Sequence, residues 1–157
     1  MNKFIPVGDF KLLKEEKEAI LDVLDNGRIS EWKKVKEFEK LFAEYVGTKY
    51  CVAVSSGTSA LLLGLLALKY DVRFPKFKNG AKIITSPVTY VATSNAIVLS
   101  NMQPIYVDID KYTFKLKINE IEKILEDNDL NEFAGILPVH LMSYPNDMDE
   151  INRVVAN

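Results

Sequence analysis

Cysteine and histidine are almost absent from this 157-residue chain; each occurs once. A single cysteine, Cys51, excludes an internal disulfide and fits a reducing compartment, so the expected location is the cytoplasm. Its place in an apolar run suits a small buried hydrophobe. One cysteine and one histidine cannot supply a structural zinc site, and no metal is expected. Long apolar runs are missing as well. The longest, residues 60–68, is far too short to span a bilayer. The first nine residues lack the apolar core of a signal peptide. Charge of one sign is not in excess either. A net charge of −2 favours neither nucleic-acid nor membrane binding.

What remains is an ordinary globular composition, 48 % apolar and 27 % charged, with length enough for a real core. Residues 11–25 place Leu12, Leu13, Ala19, Ile20, Val23 and Leu24 at helical spacing, and Asn26-Gly27 stops them. Ser30 is placed to cap a second helix over 31–46, with Val35, Phe38, Leu41, Phe42 and Tyr45 on one face. A strand over 50–54, a turn of hydroxyls and a helix over 58–68 follow. Residues 70–80 are basic and aromatic and break both periodicities. Next come a strand at Lys82–Thr85, a helix over 89–99, a strand over 104–109, a helix at Ile118–Glu126, a strand over 133–139 and a helix over 147–156. Strand and helix alternate four times, and the strands are continuous apolar runs. That pattern predicts an α/β fold with a parallel sheet buried between helix layers. A final unit that ends on a helix reads as cut short.

Parallel sheets bind ligands at the carboxyl ends of their strands. Residues 55–59, 86–90, 108–110 and 140–144 fall there. The stretch Ser55-Ser56-Gly57-Thr58-Ser59 is neither a P-loop nor the three-glycine dinucleotide fingerprint. It suits one phosphate on the N–H groups of a helix start, with Thr58 or Ser59 adding a hydroxyl; it equally suits a plain helix cap. Spacing alone does not choose. Tyr90 is placed either to stack on a planar ligand or to pack the helix start. Asp108 and Asp110 suit a metal or an acid–base pair, but also turn and helix caps. His140 reads as a hydrogen-bonded rim residue unless a partner makes it catalytic. The cations of 69–82 suit a solvated loop or a nucleotide diphosphate.

Four motifs in order resemble one family. They are Val54-Ser55-Ser56-Gly57-Thr58-Ser59-Ala60-Leu61, then Thr85-Ser86-Pro87-Val88-Thr89-Tyr90 through Ile97, then Pro104-Ile105-Tyr106-Val107-Asp108-Ile109-Asp110, then Pro138-Val139-His140-Leu141-Met142-Ser143-Tyr144-Pro145-Asn146-Asp147-Met148-Asp149. Together, with Gly27-Arg28-Ile29-Ser30 near the start, they are similar to the DegT/DnrJ/EryC1/StrS aminotransferases. That resemblance implies pyridoxal 5′-phosphate as cofactor and, as substrates, a nucleotide-linked keto-sugar and an amino donor such as glutamate. It implies a homodimer, and a three-layer sandwich with a mostly parallel sheet, part of the large domain of a type I, aspartate aminotransferase-like fold. The chain would divide into an N-terminal helical segment, 1–48, and part of the cofactor-binding large domain, 49–157. Carried over by position, Gly57, Thr58 and Ser59 match the cofactor-phosphate turn and Tyr90 the aromatic that stacks on the pyridine ring. His140 matches a recurrent residue to which no role is assigned, and Asp108 a recurrent residue that is kept structural.

The resemblance places the pyridine-facing aspartate, its neighbouring glutamine and the catalytic lysine beyond Asn157, so no catalytic residue is expected in this chain. Some relatives that dehydrate a sugar at C3 carry a long 70–80 loop like this one, and a histidine in place of the lysine. A 3-dehydratase is therefore the alternative within the family. A non-catalytic phosphate- or cofactor-binding or structural fragment is the alternative outside it.

Overall fold

The computed structural model describes residues 8, 10–27, 29, 30 and 33–156. The chain divides into two units, residues 1–53 and 54–157.

The first unit holds two helices. Helix α1 (Lys14–Asn26) opens where Glu16 Oε2 accepts the Leu13 N–H at 2.6 Å. It closes at Gly27, whose N–H reaches the Val23 carbonyl at 2.9 Å. A Cβ on Gly27 would sit 2.7 Å from that oxygen, which is why glycine ends the helix. Helix α2 (Lys33–Val46) ends in a Schellman motif: Gly47, at φ +74°, donates to Glu44 O and Thr48 donates to Ala43 O. Phe38 and Phe42 pack one turn apart on α2, ring centroids 5.6 Å apart. The expected cap at Ser30 cannot be placed against its helix, because Glu31 and Trp32 lie outside the described residues, as does Arg28.

Residues 50–54 form no strand, contrary to the expectation from their apolar run. A strand exists only when a neighbour takes its N–H and C=O groups. Among the described residues none does; the Ala53 N–H bonds to the Glu39 carboxylate at 2.8 Å instead, and Val52 is 77 % exposed.

The second unit is a three-layer α/β sandwich. Helix α3 (Gly57–Tyr70) leads through an irregular loop to β1 (Lys82–Thr85), then α4 (Val91–Leu99), β2 (Gln103–Tyr106), α5 (Ile118–Glu126), β3 (Phe133–Leu137) and α6 (Met148–Ala156). The sheet order is β2-β1-β3, and β1 is parallel to both neighbours. Alternation along β1 sends adjacent isoleucines into opposite layers. Ile83 joins Leu65, Ala96, Ile97 and Met102 under α3 and α4; Ile84 joins Val107, Leu116, Ile121 and Phe133 under α5, with Val154 of α6 packed on that cluster. Burying each isoleucine contributes about 1.5–3 kcal/mol, so the central strand is pinned from both faces.

The expected strand 104–109 is shorter, because the chain turns at Asp108. Ile109 pairs with Leu116 in a single antiparallel bridge, and Asp110 holds the turn by accepting the N–H of Thr113 at 2.8 Å and of Tyr112 at 3.0 Å. The third loop of the rim, after β3, is held by Asn146. Its side-chain oxygen accepts the Leu116 N–H and its amide donates to Val139 O, both at 2.8 Å, and the residue is only 5 % exposed.

Two outcomes follow for stability. Asn146→Leu keeps the branched shape but leaves a buried N–H and a carbonyl unpaired; it should cost about 2–4 kcal/mol by urea denaturation, and a loss below half that range would show the amide is dispensable. Asp110 is held below its ordinary 3.8 chiefly by the Thr113 N–H, then by the Thr113 hydroxyl and the Tyr112 N–H. A depressed carboxyl contributes stability that is full above the ordinary value and lost as pH falls through the folded one. Asp110→Asn keeps an acceptor but does not titrate. The gap between parent and variant should therefore narrow as urea midpoints are followed from pH 5 to below 3, and a constant gap would remove Asp110 from the acid transition.

Candidate functional site

Parallel pairing gathers the exits of all three strands at one edge. The exit of β1 runs through 86–90 into α4, the exit of β2 through Asp108, and the exit of β3 through 138–147 into α6. Helix α3 packs beside α4. Its last turn lies beside the end of α4, where Lys69 Nζ donates to the Ser100 carbonyl at 2.8 Å. The two helices pack against each other over the Ile83 face of the sheet, with their carboxyl ends joined by that bond. Helix α3, with 14 residues, is about 21 Å long at 1.5 Å per residue, length enough to span from that junction to the strand exits.

The neighbours β1 and β3 send their exits to opposite faces, to α4 and to α6. In open α/β sheets such a reversal marks the crevice at the carboxyl edge where ligands usually lie. Tyr90 lies in the exit of β1 and His140 in the exit of β3, the loops on either side of that switch point. Thr85 closes its floor: fully buried, it donates to Leu137 O at 2.8 Å and stitches β1 to β3.

At the start of α3 the cap uses only part of the available donors. Ser56 is the cap; its hydroxyl accepts the Ser59 N–H at 3.1 Å, and its carbonyl accepts the Ala60 N–H. Ser59 Oγ lies 3.2 Å from Ser55 Oγ and 3.0 Å from Ser56 Oγ. Among the described residues nothing takes the N–H groups of Gly57 and Thr58. No acidic residue stands in the first turn. A Cβ on Gly57 would meet nothing within 4 Å, so the space ahead of the helix is open. Two spare N–H groups, the positive end of a 14-residue helix and three nearby hydroxyls make a donor set for a dianionic phosphate.

Tyr90 occupies the cap position of α4 without capping it, and its ring is 77 % exposed. Capping of that turn falls to others: Ser86 Oγ accepts the Val88 N–H, and the hydroxyls of Thr89 and Thr93 are 2.8 Å apart. The packing alternative weighed for Tyr90 therefore does not describe it. Asp108 is paired with Lys117 at 2.6 Å. The ammonium hydrogen bond, with the Ile109 N–H behind it, holds the Asp108 carboxyl below its ordinary value, and Asp108 in turn raises Lys117. With Asp110 closing its turn, this pair is structural rather than acid–base. Among the described residues no group of three or more His, Cys, Asp or Glu could hold a metal ion.

The cations of 69–82 lie toward the opposite edge, ahead of β1, and mostly bind protein. Lys69 holds Ser100, Arg73 holds Asp71, and Lys82 pairs with Glu132. Asp71, pulled to about 2 by the Arg73 guanidinium, is part of this local ion pairing. A nucleotide-diphosphate role for this loop is not supported.

Two features escaped sequence reasoning. Asn146 is the buried clamp of the β3 exit, and its backbone N–H donates to His140 Nδ1 at 3.0 Å. Met142 and Ser143 between them are left-handed, at φ 51° and 62°, which costs non-glycine residues about 1–2 kcal/mol each. The dipeptide Pro145-Asn146 was a turn signal, but nothing local shows that the asparagine amide turns inward.

The chain is 36 % identical over 150 residues to GDP-perosamine synthase of Escherichia coli O157:H7, covering 95 % of this chain and 38 % of that protein. It is 35 % identical over 142 residues to GDP-4-keto-6-deoxy-D-mannose 3-dehydratase of Yersinia pseudotuberculosis, covering 89 % and 35 %. The crystal structure of E. coli GDP-4-keto-6-deoxy-D-mannose-3-dehydratase with bound hydrated PLP superposes with a TM-score of 0.87 at 32 % identity, over 97 % of this chain and 38 % of that one. The chain thus spans little more than a third of the length of these relatives. Residues 11–157 match the model of the DegT/DnrJ/EryC1/StrS aminotransferase family, and the chain belongs to that family.

Proposed function

We propose that this chain is the amino-terminal part of a pyridoxal-phosphate-dependent aminotransferase acting on a nucleotide-linked keto-sugar. The observation that carries the proposal is the open first turn of α3, where among the described residues nothing takes the N–H groups of Gly57 and Thr58, together with the exposed ring of Tyr90 at the head of the neighbouring helix α4. These residues fit the cofactor. Gly57, Thr58 and Ser59 would hold its phosphate, and Tyr90 would stack on its ring. Bound pyridoxal phosphate supplies an electron sink for moving an amino group between donor and keto carbon. This chain's share is to bind and orient: the phosphate is fixed by donors that do not titrate, and the ring is shielded from water on one side. The catalytic lysine belongs, in this reading, to sequence following Asn157. The whole enzyme would be a cytoplasmic homodimer using glutamate as amino donor.

A second reading keeps the fold and changes the chemistry. Likeness to the E. coli and Yersinia 3-dehydratases favours a sugar 3-dehydratase. A histidine at the downstream lysine position decides for it.

Gly57→Asp separates a phosphate site from a plain cap. A carboxylate in the first turn favours the helix dipole, so stability should hold or rise by up to about 1 kcal/mol. The same charge should abolish binding of pyridoxine 5′-phosphate, which the parent binds with a measurable heat at millimolar concentration or below. A parent that gives no heat, or a variant that binds equally well, overturns the phosphate assignment. The complete reading frame supplies the second check. It should encode an Asp-x-Ala-Gln-like motif and a later lysine, and the purified product should be yellow and lose that colour on adding glutamate. A frame lacking both motifs excludes the aminotransferase.

A further inference from the structure

We infer that His140 donates a hydrogen bond to a ligand oxygen in the crevice between the exits of β1 and β3, and that Asn146 is the residue positioning it. The inference rests on the reading of that crevice as the ligand site.

A backbone N–H only donates. The 3.0 Å contact from Asn146 N therefore makes His140 Nδ1 the acceptor and leaves the ring proton on Nε2. The two nitrogens of an imidazole face away from each other. Tying Nδ1 to the buried Asn146 leaves Nε2–H on the side of the ring away from that anchor, in a residue that is exposed. Among the described residues Nε2 has no partner.

The anchor is rigid. Asn146 is held by Leu116 and Val139 at 2.8 Å each, so its N–H cannot follow a rotating imidazole. Between ring and anchor the chain runs through two left-handed non-glycine residues, Met142 and Ser143. Such strain persists only where the surroundings over-determine it, and it is concentrated at ligand sites. A histidine serving only to close this loop would need Nδ1 alone. The exposed, fixed Nε2–H beside the crevice suits an acceptor oxygen: the ring hydroxyl oxygen of the cofactor or an oxygen of the sugar nucleotide.

The single histidine makes the test direct. In the 157-residue chain labelled with nitrogen-15 in its imidazole, one ring is observed. Nε2 should carry the proton in the free protein, and Asn146→Ala should produce a mixture of tautomers. Pyridoxine 5′-phosphate, which has no aldehyde to react with surface lysines, is added in one arm and GDP-mannose in the other. A shift of the Nε2 and Nε2–H signals in either arm supports the inference and identifies the source of the oxygen. His140→Ala should weaken that ligand about tenfold. His140→Gln, which keeps a donor near the Nε2 position, should recover much of the loss.

A proton on Nδ1 in the parent overturns the inference, and that reading needs no variant to fold. So does calorimetric binding of both ligands with unmoved ring signals, which leaves the site reading intact. No binding of either ligand removes the site reading, and the role of His140 with it.

Discussion

The parallel pairing of β1 with both β2 and β3 is the constraint on which the rest of the second unit depends. Parallel neighbours must be joined by crossovers that return the chain to the opposite edge, so every exit loop is delivered to the same rim. The register is equally binding. A slip of one residue along β1 would exchange the faces of Ile83 and Ile84, each fully enclosed in a different layer. It would also take Thr85 away from the Leu137 carbonyl, the bond that joins the two strands at the floor of the crevice. Crevice and core are thus set by the same pairing, and neither can be altered without the other.

Much of this was legible because period and punctuation agreed. Lys82–Thr85 and Ile118–Glu126 were read with the bounds observed, since each is an apolar pattern flanked by breakers. The run 50–54 misled because composition reports the wish to be buried, and a ladder needs a neighbouring strand that composition does not reveal. Asp108 and Asp110 were ambiguous for a related reason. Their side chains meet Lys117 and Thr113 only after the chain folds back on itself at the Ile109–Leu116 bridge. Around α3 the hydroxyl turn reads equally as a cap or as a phosphate site; the fold shows the cap, at Ser56, and among the described residues leaves the N–H groups of Gly57 and Thr58 without a partner. Asn146 was invisible as a clamp: its partners lie 30 and 7 residues away, and no local pattern announces a long-range pair.

The two ends of the rim are built on different physics. At α3 the donors are backbone N–H groups and a helix dipole. They carry no titratable group and survive most side-chain changes, and their position is fixed from the far end of the helix by Lys69 on the Ser100 carbonyl. Such a device suits a group that is always the same, a phosphate monoester. At the exit of β3 the donor is one imidazole whose tautomer depends on a single buried amide and a strained loop.

A dependence of that kind is sensitive to small changes, and sensitivity is useful where a ligand has to be distinguished rather than merely held. A site that rejects a molecule lacking one oxygen needs a donor that cannot turn to another partner, since only then is the unpaired donor's cost charged in full. Asn146 denies His140 that freedom by holding Nδ1 from the interior. The backbone donors proposed for the phosphate would have no comparable selectivity, because any dianionic phosphate would satisfy them. On that reading, discrimination among ligands that share a phosphate would fall, within this unit, to the loops at the switch point between β1 and β3.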